Sequence, residues 1–347
     1  MNKQTLRSDG LLLLTALIWG SAFIAQKTGM SYVGPFTYNG LRFLLGSLSI
    51  LPLILVLEKK KRNGRNGAGG ATTKRLLLSS ALVGVCIFFA VSIQQIGMIY
   101  TSVANSGFIT GMYVVMVPIF GIFLGRKTGV PTWIGAALAF IGLFFVSVFS
   151  NVTDFNLGLL PSSIGRVARN MNKGDILIFV ASVFWTFHVL VIDALVKKVD
   201  AVLLSFGQFV VCGVLALAAA AFDVAGLVGA TADAAALGVP LGPELFRPGF
   251  SFQAIRAGLA PILYGGLLSA GLAYTLQVVA QQYAPPAHAS IILCLESVFA
   301  AIGGILFMSE PVNAAKLTGF FLMLLGMIAT QWELVVTCSP KTECRQD

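Results

Sequence analysis

Few residues in this chain can do chemistry, and several of those stand inside long apolar runs. Glu296 lies ten residues beyond Pro286. At a helical rise of 1.5 Å per residue that is about 15 Å into a helix starting there, near a membrane midplane. Arg42 lies seven residues beyond Pro35, nearer a membrane face. A charge at the centre of a membrane helix costs about 2.5–3.5 kcal/mol on insertion scales, so both must face protein or water. A desolvated Glu296 can take up and release a proton, which makes proton coupling an expectation. The competing reading is a neutral Glu296 bonded to a backbone carbonyl, with Arg42 snorkelling to the interface.

His188 follows Trp185 by three residues, so the two share a helix face and can line a cavity together. An imidazole can titrate near neutrality, although a lone buried His can equally be a packing hydrogen-bond donor. Trp19, Gln95, Asn105, Tyr113, Tyr264, Tyr274 and Gln277 extend the candidate cavity. Amide and phenol groups suit zwitterions or polyols, and aromatic faces suit rings or cations. The expected substrate-binding set is Trp19, Gln95, Asn105, Tyr113, Trp185, His188, Tyr274, Gln277 and Glu296. Tyr283, Trp133, Trp332 and His288 read as interfacial residues, and Asp193 as a solvated helix end beside Lys197 and Lys198. No nucleophile–base set appears, the five Cys lack metal-ligand spacing, and no Gly-rich phosphate loop occurs, so neither a catalytic centre, a metal nor a cofactor is expected.

The elements that must position these residues follow from composition. The 347 residues are 57% hydrophobic and 11% charged, against about 25% charged in a soluble domain. Such a chain is an all-α integral membrane protein, and its net charge of +9 is no sign of nucleic-acid binding. Ten apolar segments are long enough to span, at about 10–28, 35–57, 76–99, 103–124, 131–150, 175–194, 201–222, 258–281, 286–308 and 314–335. Pro118 is expected to kink the fourth. With the N-terminus inside, cytoplasmic segments hold fifteen Lys and Arg, the other side seven, and Arg42 lies within a span. That bias puts both termini in the cytoplasm.

The chain also repeats itself. Asp9, Trp19 and Phe43 recur as Asp175, Trp185 and Phe209, shifted by 166. Tyr100, Ala104 and Gly121 recur as Tyr283, Ala287 and Gly304, shifted by 183. Five spans per copy is an odd number, so the copies insert oppositely, as two inverted five-helix repeats with a substrate site between them. The expected layout is a first repeat at 1–150, a linker at 151–173 and a second repeat at 174–337, then a cytoplasmic tail at 338–347. An apolar insertion at 223–257 reads as an outer-face cap or as an insertion without a role. Tyr113 and Gln208 occupy the positions equivalent to Glu296 and Arg42, so neither charge has a charged twin. That favours a directional or substrate-related role. Gly135 and Gly142 recur as Gly319 and Gly326, marking close helix contacts that are either a sliding seam or static packing.

Taken together, several segments resemble the EamA-type branch of the drug/metabolite transporter superfamily. They are Ala16–Phe23, Leu41-Arg42-Phe43, Asn105–Pro118, Gly174-Asp175-Ile176, Phe184–Asp193, Leu295–Ala301 and Ser309-Glu310-Pro311. This chain departs where the family often has Glu-Pro, at Glu296-Ser297, and Gly-Glu, at Gly125-Arg126. The resemblance implies ten helices in two inverted repeats, a cavity lined by spans one, three, four, six, eight and nine, and export of small metabolites, including amino acids, across an inner membrane. The first expectation is therefore a secondary transporter working by alternating access on a small-molecule substrate in the bilayer. A multidrug or sugar-related carrier is the alternative, with a membrane enzyme or a channel behind it.

Overall fold

The computed structural model describes residues 3–63, 73–124, 129–148, 172–196, 198–224, 251–281, 292–293 and 295–337. Among them every regular element is helical, as expected where no water is present to satisfy an open backbone. The first part of the chain supplies α1 (Lys3–Gly29), α2 (Pro35–Asn63), α3 (Thr73–Tyr100), α4 (Val103–Thr110), α5 (Met112–Gly121) and α6 (Val130–Val148). The second supplies α7 (Lys173–Leu195), α8 (Ala201–Val224), α9 (Phe252–Ala257) and α10 (Leu259–Leu263), a π-helical segment (Tyr264–Ala273), α11 (Tyr274–Gln281), α12 (Leu295–Met308) and α13 (Ala314–Thr337).

Seven stretches are long and apolar enough to cross a membrane: Leu6–Gly29, Pro35–Leu57, Thr73–Tyr100, Val103–Gly121, Lys173–Leu195, Ala201–Ala221 and Leu259–Ala280. Val130–Leu143, Leu295–Met308 and Ala314–Ala329 are shorter apolar helices. Large side chains such as Leu48, Phe123 and Phe307 stay exposed on the outside, where acyl chains rather than water would meet them. The chain is a multi-pass membrane protein, helical in every regular element among the described residues. Residues 151–171 of the linker predicted at 151–173, residues 225–250 of the insertion predicted at 223–257, the tail at 338–347, and Tyr283 and His288 lie outside the described residues.

Two predicted spans are not single regular helices. The fourth breaks at Gly111, between α4 and α5, whereas Pro118 sits inside α5. Ser297 Oγ donates to Gly107 O at 2.9 Å beside the ladder bond that oxygen accepts from Gly111 N at 3.1 Å, and just past it the bonding tightens to an i→i+3 pair, Val114 N to Gly111 O at 3.0 Å. The eighth span changes from α to π over Tyr264–Ala273 and back. Its small residues press on α2: a Cβ at Gly266 would lie 2.7 Å from Leu45 Cδ2, and one at Gly271 2.0 Å from Ser49 Oγ.

Helices touch backbone to backbone where glycines meet. A Cβ on Gly142 would stand 2.6 Å from Gly319 O, and one on Gly326 2.5 Å from Gly135 O. α6 and α13 thus run antiparallel in close contact. α2 and α8 cross with Gly40 against Leu217 and Gly213 against Leu44. α3 and α7 meet at Gly97 and Ile178. Such contacts gain dispersion energy where lipid offers no hydrophobic drive.

One turn gathers polar groups from both parts of the chain. Ser309 adopts a left-handed conformation (φ 51°) after α12, one usually reserved for Gly at a helix end, with Glu310 N bonded back to Gly304 O at 3.2 Å. It aims the Glu310 carboxylate at the free amides of Val103 and Ala104, the latter at 3.0 Å. A carboxylate there satisfies orphan N–H groups and complements the helix dipole. Beside it Lys27 donates to the carbonyls of Met98, Ile99 and Thr101. Thr101 and Asn105 in turn donate to Asp175.

Candidate functional site

A cavity opens among nine of these elements. α1 contributes Trp19, Ala22, Phe23 and Gln26, spaced so that one helix face meets the void. Arg42 comes from α2, Gln94 from α3, Thr110 from α4 and Tyr113 from α5. α7 presents Trp185, His188 and Val189. Ser269 of the π segment, Tyr274 and Gln277 of α11, and Glu296 of α12 close the ring. Counted out to its open mouth and including the solvent there, the empty space is about 540 Å³.

Aromatic rings form one wall. Tyr274 stands between the two tryptophans, 4.7 Å from the Trp19 ring and 6.3 Å from that of Trp185, nearly parallel to the latter at 20°. His188 lies edge-on to both Trp185 and Tyr274 and bonds Gln208 at 2.9 Å. It therefore makes a packing hydrogen bond while also lining the cavity. Trp185 Nε1 donates to Gln94 Oε1 at 2.6 Å, and Trp19 Nε1 to the Ser269 carbonyl at 3.3 Å.

The two intramembrane charges share this space. Arg42 is 4% exposed, so it does not snorkel. Its guanidinium carbon lies 4.8 Å from the Phe43 ring centre and 5.6 Å from that of Tyr38, an arrangement in which ring quadrupoles steady a cation. Its buried Nε has no hydrogen-bond partner. Glu296 is equally buried. Neither Arg42 nor Glu296 has a hydrogen bond or ion pair to another described residue; in particular Glu296 makes no backbone carbonyl contact of the kind the neutral reading requires. Burying a charge without a partner is costly, so both groups hold unspent bonding capacity toward the void.

Two expected residues do not line the cavity. Gln95 is fully buried and turns its amide to the Gln26 carbonyl at 3.2 Å. Asn105 turns to the Asp175 carboxylate at 3.4 Å. Adjacent residues of a helix point about 100° apart, so of Gln94 and Gln95 one faces the space and the other the α1 backbone. Sequence reasoning missed Gln26, Gln94, Thr110 and Ser269. Gln26 follows Trp19 by seven residues and Thr110 precedes Tyr113 by three, spacings that place each on a face already marked. Tyr264 contacts Ser21 at 2.5 Å away from the lining. Arg42 adds span two to the spans that the family resemblance assigns to the cavity.

A family model described as the EamA-like transporter family matches residues 6–148 and again 172–331. The chain belongs to the EamA-like transporter family. As a member it is a membrane transporter, and each match spans one copy of the internal repeat. An uncharacterized transporter of Archaeoglobus fulgidus is 25% identical over 329 residues, 94% of this chain and 86% of its own. The uncharacterized inner membrane transporter YedA of Escherichia coli K12 is 25% identical over 170 residues, 48% of this chain and 52% of its own. A solved crystal structure aligns over 96% of this chain and 99% of its own with a TM-score of 0.58, at 13% identity, a likeness of fold alone.

Proposed function

We propose that this EamA-like protein is a secondary transporter that exports amino acids or related zwitterionic metabolites across the inner membrane by alternating access. The observation that carries the reading is the unpaired Arg42 guanidinium and the unpaired Glu296 carboxylate on the walls of one buried cavity. A molecule bearing both a carboxylate and an ammonium satisfies both at once, by charge-assisted hydrogen bonds. The Trp19, Tyr274 and Trp185 rings give its side chain an apolar seat. The residues proposed to bind substrate are Trp19, Tyr113, Trp185, His188, Tyr274, Gln277 and Glu296, joined by Arg42, Gln26 and Gln94.

The reading takes the chain as ten spans in two inverted five-helix repeats, with both termini cytoplasmic. Reciprocal contacts support the inversion. Gly135 and Gly142 correspond to Gly319 and Gly326 by a shift of 184. The contacts pair Gly142 with Gly319 and Gly135 with Gly326, so each residue meets its partner's counterpart. A two-fold relation demands this pattern. Gly97 against Ile178 has its counterpart in the cluster of Leu12 with Ala280.

A multidrug carrier is favoured only by the aromatic wall beside Glu296; the unpaired Arg42 opposes apolar cations. The deciding experiment is counterflow in proteoliposomes with a panel of labelled amino acids, amines and organic acids. Amino acids are expected to exchange, and the matching amines and acids, each lacking one charged end, to fail. Exchange of amines alone would replace this reading with the multidrug one. Proton coupling through Glu296 predicts that Glu296→Gln abolishes the pH dependence of the exchange rate; a variant keeping full rate and pH dependence removes protons from the mechanism.

A further inference from the structure

The two repeats treat an equivalent pair of side chains differently. Trp19 corresponds to Trp185 by the shift of 166, and Gln94 to Gln277 by the shift of 183. In one pair Trp185 Nε1 donates to Gln94 Oε1 at 2.6 Å, a short and well-made bond. In the other the bond is absent. Trp19 Nε1 donates instead to the backbone oxygen of Ser269 at 3.3 Å, and Gln277 Oε1 is buried with no hydrogen-bond partner. Gln277 is 6% exposed, so no bulk water relieves it. All four side chains line the cavity.

The difference extends to the backbone. Ser269 belongs to the π segment Tyr264–Ala273. Its counterpart in the first repeat, residues 81–90, is regular α-helix within α3. A π stretch inside a span changes which way the residues after it face, and it recurs at functional sites. Here those residues are Tyr274 and Gln277.

We propose that Gln94 and Gln277 are positioning residues that hold Trp185 and Trp19 in turn, each access state having one Trp–Gln bond made and the other open. The inference rests on the inverted-repeat reading above. In such a carrier the second state arises when the halves exchange conformations. Exchange makes the bond from Trp19 to Gln277 and opens that from Trp185 to Gln94. The orphan Gln277 oxygen is then the vacated half of a bond rather than a packing fault, and its burial cost favours the return stroke. Tyr274, between the two indoles, feels either movement directly.

The test reads access from each side of the membrane. Ala22→Cys, on the cavity wall, is placed in full-length protein whose other cysteines are replaced. It is reacted in proteoliposomes with a membrane-impermeant maleimide from the inside or the outside. The ratio of the two rates reports the ratio of the states. Gln94→Met and Gln277→Met keep length and remove the acceptor. Gln94→Met is expected to shift the ratio roughly fivefold away from the present state, the worth of one neutral hydrogen bond of about 1 kcal/mol. Gln277→Met shifts it roughly fivefold the other way, and the double variant returns near the parent value. Trp185→Phe, which keeps the ring and loses the donor, matches Gln94→Met and adds nothing when combined with it. Shifts in the same direction, or none, overturn the proposal while leaving alternating access standing. An Ala22→Cys parent that reacts from one side only overturns both.

Discussion

Arg42 and Glu296 differ in how they tolerate change. Arg42 lies over the Phe43 ring and lines the cavity, and an ammonium neither stacks nor forks as a guanidinium does. Arg42→Lys and Glu296→Gln are each expected to weaken zwitterion binding by about 10- to 100-fold, the range for losing a charge-assisted hydrogen bond. Ligand-dependent shifts in melting temperature of the purified protein measure this through mass action. Gln95→Leu serves as the contrast. Its amide serves the Gln26 carbonyl, so the variant is expected to lose about 1 kcal/mol of stability with ligand affinity unchanged. Equal affinity losses in all three would place Gln95 back among the binding residues.

At the scale of elements, the α6–α13 seam admits no side chain. A Cβ on Gly326 would stand 2.5 Å from Gly135 O and 2.6 Å from Ala139 N, both backbone atoms that cannot swing aside. Gly326→Ala is expected to cost about 1–3 kcal/mol as overpacking, seen as a lower melting temperature in detergent. Gly10→Ala, with nothing within 4 Å, is the neutral comparison. Glu310→Gln should cost about 0.5–2 kcal/mol by weakening the cap on α4. These elements were unequally legible in the sequence. Apolar runs disclose helices, because a bilayer permits little else, and the family resemblance named every span that lines the cavity except the second, which brings Arg42. The contact of Ser297 with the Gly107 carbonyl beside the Gly111 break was hidden because the two residues lie 190 apart in the chain. The π segment was hidden too. Gly265, Gly266 and Gly271 hint at crowding, but that α2 is the element packed against them is visible only in the fold. Gln94 and Gln95 looked alike for a related reason: the helix phase that separates them is fixed by packing, and amides a residue apart carry no label for it.

For the whole molecule, inversion makes a claim about sidedness. Impermeant labelling of cysteines at the exposed positions Leu6 and Leu77 should come from one face, and at Tyr32 and Phe252 from the other. A single face for all four would contradict the proposed topology. The turn between α3 and α4 adds a temporal consequence. Its amides at Val103 and Ala104 are satisfied by Glu310, and Thr101 and Asn105 hold Asp175, all made in the second half of the chain. Until the ribosome has delivered residue 310, the nascent first repeat lacks the carboxylate that caps those amides and the partner that holds its turn. Synthesised alone, residues 1–150 should be cleared by membrane proteases; supplied with residues 151–347 as a separate chain, they should survive and copurify.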